Sequence, residues 1–107
     1  MSNRNRRLGF ATVAILRAIH EGRGYGLEII ATTALSPGTV YVTLGRLEKR
    51  AFVASSWERQ SIAVAEGRPR RRYYRLTRSG TTALDAALTS YGELMLGSSV
   101  SPGGDRR

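Results

Sequence analysis

The apolar residues in the first third of the chain recur at helical spacing. Residues 8–20 carry them at near-helical intervals, namely Leu8, Ala11, Ile15, Leu16, Ala18 and Ile19. The glycines at positions 22 and 24 end this first helix, because glycine adopts the left-handed conformation that a helix C-terminus often needs. A second helix is predicted over residues 25–34, with Leu27, Ile30 and Ala31 on one side. Both helices are short, so they must pack on each other or on a third helix.

The clearest helix signals lie in residues 36–50. Ser36 can cap a helix N-terminus, and Pro37 suits the first helical position, where its missing N–H costs nothing. Val40, Leu44 and Leu47 then follow at i, i+4 and i+7 and predict a narrow core stripe. The opposite side lacks acidic residues and consists of Gly38, Val42, Gly45, Arg46 and Lys49. Gly45 costs about 1 kcal/mol of helix stability relative to alanine, so it indicates either close approach of another molecule or an ordinary surface glycine.

The sequence pattern changes after Ala51. Residues 52–57 and 72–76 are rich in aromatic and strand-compatible side chains and predict two strands. The turn-forming residues 66–69 lie between them, so we expect a β-hairpin over residues 52–76. Residues 62–64 either lengthen the first strand or lie in a mobile tip. Trp57 and Tyr74 are predicted to pack in the core.

A last helix is predicted over residues 78–96, with Thr77 as its N-cap. Its apolar stripe recurs at i, i+4, i+7 and i+11 and consists of Leu84, Leu88, Tyr91 and Met95. A small domain cannot readily cover so long a stripe, so we expect a homodimer interface; packing over the first helix is the alternative. A basic arm (residues 1–7) and a glycine- and serine-rich disordered tail (residues 97–107) are expected to flank the domain.

The charges are sorted along the chain. The 107 residues carry a net charge of +9, and all but one of the 17 basic residues are arginine. Residues 36–78 contain ten basic and three acidic residues, whereas residues 79–104 contain two acidic residues and no basic one. Because the guanidinium fork matches phosphate oxygens and guanine edges, the middle of the chain predicts a polyanionic partner.

The groups that catalysis requires are scarce. The chain has no cysteine, one histidine and no clustered carboxylates, so neither a metal site nor a catalytic group is predicted. His20 is expected to cap its helix. No phosphate-loop motif occurs, and we expect neither an enzyme nor a cofactor. The longest apolar stretch, residues 11–16, is too short for a membrane span, and no secretion signal is evident, so the cytoplasm is the expected compartment.

The order helix, helix, helix, hairpin, helix is that of a winged helix-turn-helix. In that fold the third helix enters the DNA major groove and the hairpin, or wing, lies along the neighbouring backbone or minor groove. We therefore predict a mostly α fold with a β-hairpin (α+β). It consists of a winged-helix domain over residues 8–77 and a dimerisation helix over residues 78–96, with the recognition helix at about residues 37–50 and the wing at about residues 52–76.

Three segments resemble the PadR family of bacterial transcriptional regulators. They are residues 24–29 (GYGLEI), residues 35–41 with 44–48 (LSPGTVY and LGRLE), and residues 67–77 (GRPRRRYYRLT) followed by Gly80. The resemblance implies a winged-helix regulator, usually a repressor and often responsive to a small molecule, whose C-terminal helix pairs two protomers. It also implies that Ser36, Gly38, Thr39 and Tyr41 begin the recognition helix, that Arg46 is its later basic position, and that Arg68, Arg70, Arg71 and Arg72 belong to the wing.

The chain departs from the family pattern at three points. Gly45 stands where the family often has a long basic side chain, residues 60–66 lengthen the wing, and one helix follows the wing. The chain therefore resembles the short members of the family. Any effector pocket is then expected to be small or to lie at the dimer interface around Trp57.

These observations predict a set of functional residues. The predicted DNA-binding residues are Ser36, Gly38, Thr39, Tyr41, Val42, Arg46, Lys49, Arg68, Arg70, Arg71 and Arg72, and the predicted dimer interface is Leu84, Leu88, Tyr91 and Met95. The arginines at 70–72 either neutralise phosphates or form a solvated strand edge. Arg46 either contacts a guanine or pairs with a neighbouring acid. The Tyr41 hydroxyl either donates to a phosphate or lies beneath the helix with its ring packed.

The resulting hypothesis is a homodimeric, sequence-specific regulator of transcription. It would act as a repressor on a near-palindromic site in double-stranded DNA and would associate with the nucleoid. Two alternatives stay open: a winged-helix module that docks an acidic partner protein, and a nonspecific nucleic-acid-binding protein.

Overall fold

The computed structural model describes residues 8–96, which form five helices and one two-stranded sheet. In chain order the elements are α1 (Phe10–His20), α2 (Gly26–Thr33), α3 (Pro37–Lys49), β1 (Val53–Trp57), α4 (Gln60–Ala65), β2 (Arg72–Leu76) and α5 (Arg78–Leu96). This order confirms the mostly helical fold with a β-hairpin. The predicted basic arm and disordered tail lie outside the described residues.

Helix α1 is the centre of the core. It packs against α2, α3, α5 and strand β2, and its buried side chains are Val13, Ile15, Leu16, Ala18 and Ile19. The predicted stop is confirmed at Gly22, which has a φ of +93°. The amide of Gly22 donates to the carbonyl of Ile19, so the chain turns directly after the helix.

Helix α2 buries a different face from the predicted one. Ile29 is fully buried, whereas Leu27 and Ala31 are exposed. The reason lies outside the helix. The carbonyl of Gly24 accepts a hydrogen bond from the amide of Tyr74 at 2.7 Å. Tyr25 also forms a β-bridge with β2, and this attachment to the hairpin turns Leu27 outward.

Helix α3 follows the prediction closely. The Ser36 hydroxyl accepts a hydrogen bond from the Thr39 amide at 3.2 Å and caps the helix. The predicted core residues Val40, Leu44 and Leu47 are all buried. The chain bends by 118° between α2 and α3, which is the geometry of a helix-turn-helix. Ala34 closes α2 at the bend in the left-handed region, with a φ of 60°.

The wing contains an element that the sequence did not reveal. Strands β1 and β2 pair in antiparallel register from Val53 opposite Leu76 to Trp57 opposite Arg72. The segment between them forms α4, so residues 62–64 do not lengthen the first strand. The Arg59 carbonyl accepts from the amide of Ile62 at 3.1 Å, and Ala63 is buried. A short apolar run without alternation cannot be assigned to helix or strand from sequence, and here local helical bonds satisfy the backbone.

Helix α5 divides its apolar stripe between two environments. Thr77 caps the helix as predicted, because its hydroxyl accepts from the Gly80 amide at 3.0 Å. Leu84 is buried in the core of its own chain, so its assignment to a dimer interface was wrong and the alternative of packing over α1 holds for it. Leu88 and Met95 are exposed, and Tyr91 is half-buried with its hydroxyl donating to the Leu8 carbonyl. Between residues 8 and 96 no single helix is both long and apolar enough to cross a membrane.

Candidate nucleic-acid interface

The outward side of α3 is open to solvent along its whole length. The predicted contact residues on it are exposed: Ser36, Gly38, Thr39, Tyr41, Val42, Arg46 and Lys49. Neither Arg46 nor Lys49 forms an ion pair with any residue in the part of the chain that the structure describes. The alternative in which Arg46 pairs with a neighbouring acid therefore does not hold. The side that faces away from the core thus presents two free cations and no acidic side chain at an exposed position.

Three wing arginines lie beside aromatic rings. The guanidinium carbon of Arg71 is 4.1 Å from the ring centre of Tyr25, and that of Arg70 is 5.7 Å from the ring centre of Trp57. Arg72 approaches Trp57 as well, at 5.9 Å. Contacts of a cation with an aromatic face restrain the long side chains while the charge stays accessible. The side chains of Arg70, Arg71 and Arg72 are therefore restrained against aromatic rings at the same cleft.

Arg68 differs from the arginines that follow it. Its guanidinium donates two short hydrogen bonds to the Glu58 carboxylate, at 2.7 and 2.8 Å, and contacts Glu66 at 2.9 Å. The Glu58 side chain is only 6% exposed and that of Arg68 only 19%. The hydrogen bond from Arg68 lowers the pKa of Glu58 from 4.5 to about 2. Arg68 therefore connects two parts of the wing, and the carboxylates of Glu58 and Glu66 compensate its charge.

Glu58 also positions the neighbouring arginines through the backbone. Its carboxylate accepts from the Arg71 amide at 3.1 Å, and its own amide donates to the Arg71 carbonyl at 2.8 Å. The side chain of Arg70 donates to the Glu58 carbonyl at 2.8 Å. One carboxylate residue thus fixes the conformation of the chain on both sides of Pro69.

A second acidic residue links α3 to the wing. Glu48, on α3, accepts from the Ser55 hydroxyl of β1 at 2.7 Å and from the Arg72 guanidinium of β2 at 3.1 Å. Glu48 lies on the side of α3 that faces the hairpin rather than on its free face. Because the two contacts connect three elements, they set the spacing between α3 and the wing.

An open cleft separates the N-terminal half of α3 from the wing, and we call it the α3–wing cleft. It has a volume of about 490 Å³ and is lined by Tyr25, Gly26, Leu27, Tyr41, Trp57, Arg68, Pro69, Arg70, Arg71, Arg72 and Tyr74. The Tyr41 ring lies so close to the Gly26 backbone that a Cβ at Gly26 would overlap it. Tyr41 therefore packs its ring at the start of α2 while half of its surface stays exposed. Burial raises the pKa of Tyr74 on the cleft floor.

The sequence of this fold matches a known protein family. The model of the transcriptional regulator PadR-like family matches residues 15–86, which is well over half of the chain and runs from α1 into α5. The chain belongs to the PadR-like family. This is a family of transcriptional regulators rather than of enzymes, and the mostly helical fold with its two-stranded wing agrees with it. No curated protein sequence matches the chain.

Solved structures of similar fold include PadR-like regulators from several bacteria. A PadR-like transcription factor from Bacteroides fragilis is 26% identical, with a TM-score of 0.66 over 78% of this chain and 82% of that one. A PadR-family regulator from Clostridium difficile is 25% identical, with a TM-score of 0.65 over 83% of this chain and 100% of that one. BpsR of Bordetella bronchiseptica, whose DNA binding is regulated by 6-hydroxynicotinic acid, is 20% identical with a TM-score of 0.67. Its likeness covers 83% of this chain but 63% of BpsR, and it concerns the fold alone.

Some residues of the candidate interface were not indicated by the sequence. Trp57 was expected in the core, yet more than half of its surface is exposed in the α3–wing cleft of this PadR-like regulator. Among the residues whose side chains the structure describes, none from α5 lines that cleft, so Trp57 does not lie beside the predicted dimer helix. Tyr25 was not predicted as a contact residue, and Leu27 was predicted only as part of the apolar side of the second helix, whereas both line the cleft. The sequence offered one signal, the cluster of arginines at 68 and 70–72, because guanidinium groups often lie against aromatic rings.

A second surface of the PadR-like regulator lies on the α5 side, and we call it the α1–α5 groove. It has a volume of about 690 Å³ and is lined mainly by α1 and α5, including Phe10, Val13, Ala14, Leu88, Tyr91, Leu94 and Met95. Leu94 and Met95 are 55% and 76% exposed. Exposed apolar surface of this extent is typical of an association surface.

Proposed function

We propose that this PadR-like regulator binds a near-palindromic DNA operator as a homodimer and represses transcription. The observation that carries the proposal is the presence of two exposed cationic elements that are joined to each other through Glu48. Arg46 and Lys49 lie on the exposed face of α3, and the wing arginines line the α3–wing cleft. Glu48 of α3 is hydrogen-bonded to both strands of the wing and holds the two elements side by side. This is the arrangement that places a helix in a major groove and a wing beside it.

We assign different roles to the predicted contact residues. Arg46 and Val42 lie at the middle of the free face and would contact base edges, whereas Gly38, Thr39 and Ser36 at the helix N-terminus would contact phosphate. Arg70, Arg71, Arg72 and Lys49 would neutralise phosphates, with the Tyr41 hydroxyl as a further donor. Arg68 would act indirectly, since it is paired with Glu58 and Glu66.

The homodimer is supported by the exposed apolar side chains of the α1–α5 groove. Phe10, Leu94 and Met95 are all more than half exposed, and this part of α5 carries no basic residue that DNA would require. Two copies joined there would carry their recognition helices about one helical turn, ~34 Å, apart. A small-molecule effector, as in BpsR, would act through this groove by changing that spacing. The protein would work in the cytoplasm on nucleoid DNA.

The test is a fluorescence-anisotropy titration against genomic duplexes and a random duplex at fixed salt. We expect one site to bind at least ~10³-fold more tightly than random DNA. Arg46→Ala should change the preference at one base position, where a bidentate guanine contact contributes about 1–3 kcal/mol. Uniform weak binding to every duplex would contradict the proposal and favour the nonspecific alternative.

A matched pair of charge variants distinguishes binding of DNA in the cleft from the general attraction of DNA to a basic protein. Arg70→Gln should weaken binding evenly across sequences and reduce the slope of log K against log salt by about 0.9. Arg75→Gln removes the same charge from an exposed position on β2 that does not line the cleft. We expect it to have the smaller effect, and equal effects would contradict the assignment of the cleft to DNA.

A further inference from the structure

The α3–wing cleft has an apolar surface that phosphate binding does not explain. Leu27 is 69% exposed and Trp57 is 57% exposed, and both point into the same cleft as the half-exposed Tyr41. These side chains come from α2, β1 and α3, so the patch exists only in the folded chain. A groove that bound only phosphates would not need three large apolar side chains in water, where each costs free energy in proportion to its exposed area.

The rim of the cleft has the opposite character. The guanidinium groups of Arg70 and Arg72 lie within 6 Å of the Trp57 ring centre. The acidic residues that contact cleft-lining arginines are all paired with them: Glu48 with Arg72, and Glu58 and Glu66 with Arg68. The cleft thus combines an apolar floor with a cationic rim.

A DNA strand has the same alternation. Each nucleotide of the backbone presents a charged phosphate and a deoxyribose ring whose faces are largely carbon. If α3 enters the major groove and the wing reaches the neighbouring backbone, the strand between them crosses this cleft. This step rests on the proposed function and adds a contact that the function itself does not require.

We propose that Trp57, together with Leu27 and Tyr41, is a DNA-contacting surface that receives the deoxyribose of the strand crossing the cleft. Arg70 and Arg72 bind the phosphates on either side of that sugar. The apolar contact reads no base, so it contributes to affinity for every duplex and not to the choice of sequence.

Trp57 reports on its own environment, because it is the only tryptophan in the chain. In the full chain titrated with operator duplex, its emission should shift to the blue along the same isotherm as the anisotropy of the labelled DNA. Acrylamide should quench it less in the complex than in the free protein. Specific binding with an unshifted and equally quenched Trp57 would overturn this inference and leave the proposed function standing.

Two exposed aliphatic residues provide a matched pair. Leu27 lines the cleft, whereas Val64 on α4 is 66% exposed and does not line it. Leu27→Ala should weaken binding to operator and random duplex by the same factor, and Val64→Ala should leave both affinities unchanged. Trp57→Ala should weaken both about tenfold, which corresponds to roughly 60 Å² of buried apolar surface. Trp57→Phe should recover most of the loss.

The outcomes distinguish the inference from the function on which it rests. An unchanged affinity for Trp57→Ala, or equal losses for Leu27→Ala and Val64→Ala, would overturn the sugar contact alone. A Trp57→Ala variant that loses operator preference but keeps its affinity for random duplex would also overturn it, since that pattern belongs to base readout. Absence of sequence-specific binding by the unaltered chain would overturn the proposed function and this inference together.

Discussion

The arginines at 68, 70, 71 and 72 show how one residue type takes different roles within five positions. Arg68 lies against two carboxylates, Arg71 lies over the Tyr25 ring, and Arg70 donates to the Glu58 carbonyl. Their number could be read from the sequence, but their partners come from three separate segments of the chain. The pairing between Glu58 and Arg68 is therefore the residue-scale feature on which the position of the other arginines depends.

Glu58→Gln should lower thermal stability near neutral pH, because it removes the carboxylate that Arg68 and the Arg71 amide share. The folded pKa of Glu58, about 2, is below its ordinary value of 4.5. The contribution of this group is thus fully present above pH 4.5 and is lost as the pH falls toward 2. We expect the difference in Tm between the natural chain and the variant to be constant from pH 7 to about pH 5 and to narrow below that.

Glu66→Gln is the control for this measurement, since Glu66 also contacts Arg68 but is 57% exposed. Its effect on Tm should be smaller at every pH, because solvent screens exposed ion pairs. A difference in Tm for Glu58→Gln that does not depend on pH would contradict the assigned role of its ionised carboxylate.

At the scale of elements, α3 has a buried stripe that favours the helix and an exposed face that contains a residue unfavourable to it. Its packing, cap and N-terminal proline all agree with a helix, while Gly45 in the interior opposes it. A Cβ at Gly45 would meet nothing within 4 Å, so the folded monomer does not require glycine there. A requirement for glycine would therefore come only from a molecule that approaches this face.

Gly45→Ala should raise the free energy of unfolding by about 0.5–1 kcal/mol, measured by urea denaturation, because alanine favours the helix. The contrasting variant is Gly26→Ala, which should lose stability because its Cβ would overlap the Tyr41 ring. A DNA titration of Gly45→Ala then separates the two explanations of this glycine, since only close approach of the duplex predicts a lower affinity in a more stable protein. A loss of stability in Gly45→Ala would contradict the open environment of the site.

At the scale of the whole molecule, α5 lies in two environments. Its N-terminal half buries Leu84 and Ala87 against the core, and its C-terminal half exposes Leu94 and Met95. The charges follow a similar division, because α3 and the wing are rich in basic residues, whereas α5 after Arg78 carries two acidic residues and no basic one. One end of the molecule is thus suited to a polyanion and the other to an apolar partner such as a second copy.

Leu94→Glu should leave the fold intact and abolish the proposed dimer, because it puts a charge on an exposed apolar surface that a partner would bury. Light scattering coupled to size-exclusion chromatography would measure the mass, and circular dichroism the fold. Val64→Glu, an equally exposed substitution on α4, should change neither. Leu84→Ala should instead lower stability by about 2–5 kcal/mol, as a cavity in the core does. A Leu94→Glu variant with unchanged mass would contradict the proposed interface.

The sequence by itself determined most of the elements and the general nature of the partner. Strand β2, the cap at Ser36, the core stripe of α3 and the cap at Thr77 were all predictable, because caps and periodic stripes depend on residues close together in the chain. The segregation of charge along the chain and the three family segments indicated a DNA-binding regulator, because they too depend only on residues close together in the sequence.

Only the tertiary structure decided which faces are free. The attachment of Gly24 and Tyr25 to β2 turned Leu27 outward. Trp57 is the last paired residue of β1 and is therefore exposed. The fold also buried Leu84 while leaving Met95 exposed on the same stripe. Apolar residues look alike in a sequence, and whether each is covered depends on elements that are distant along the chain and adjacent in space.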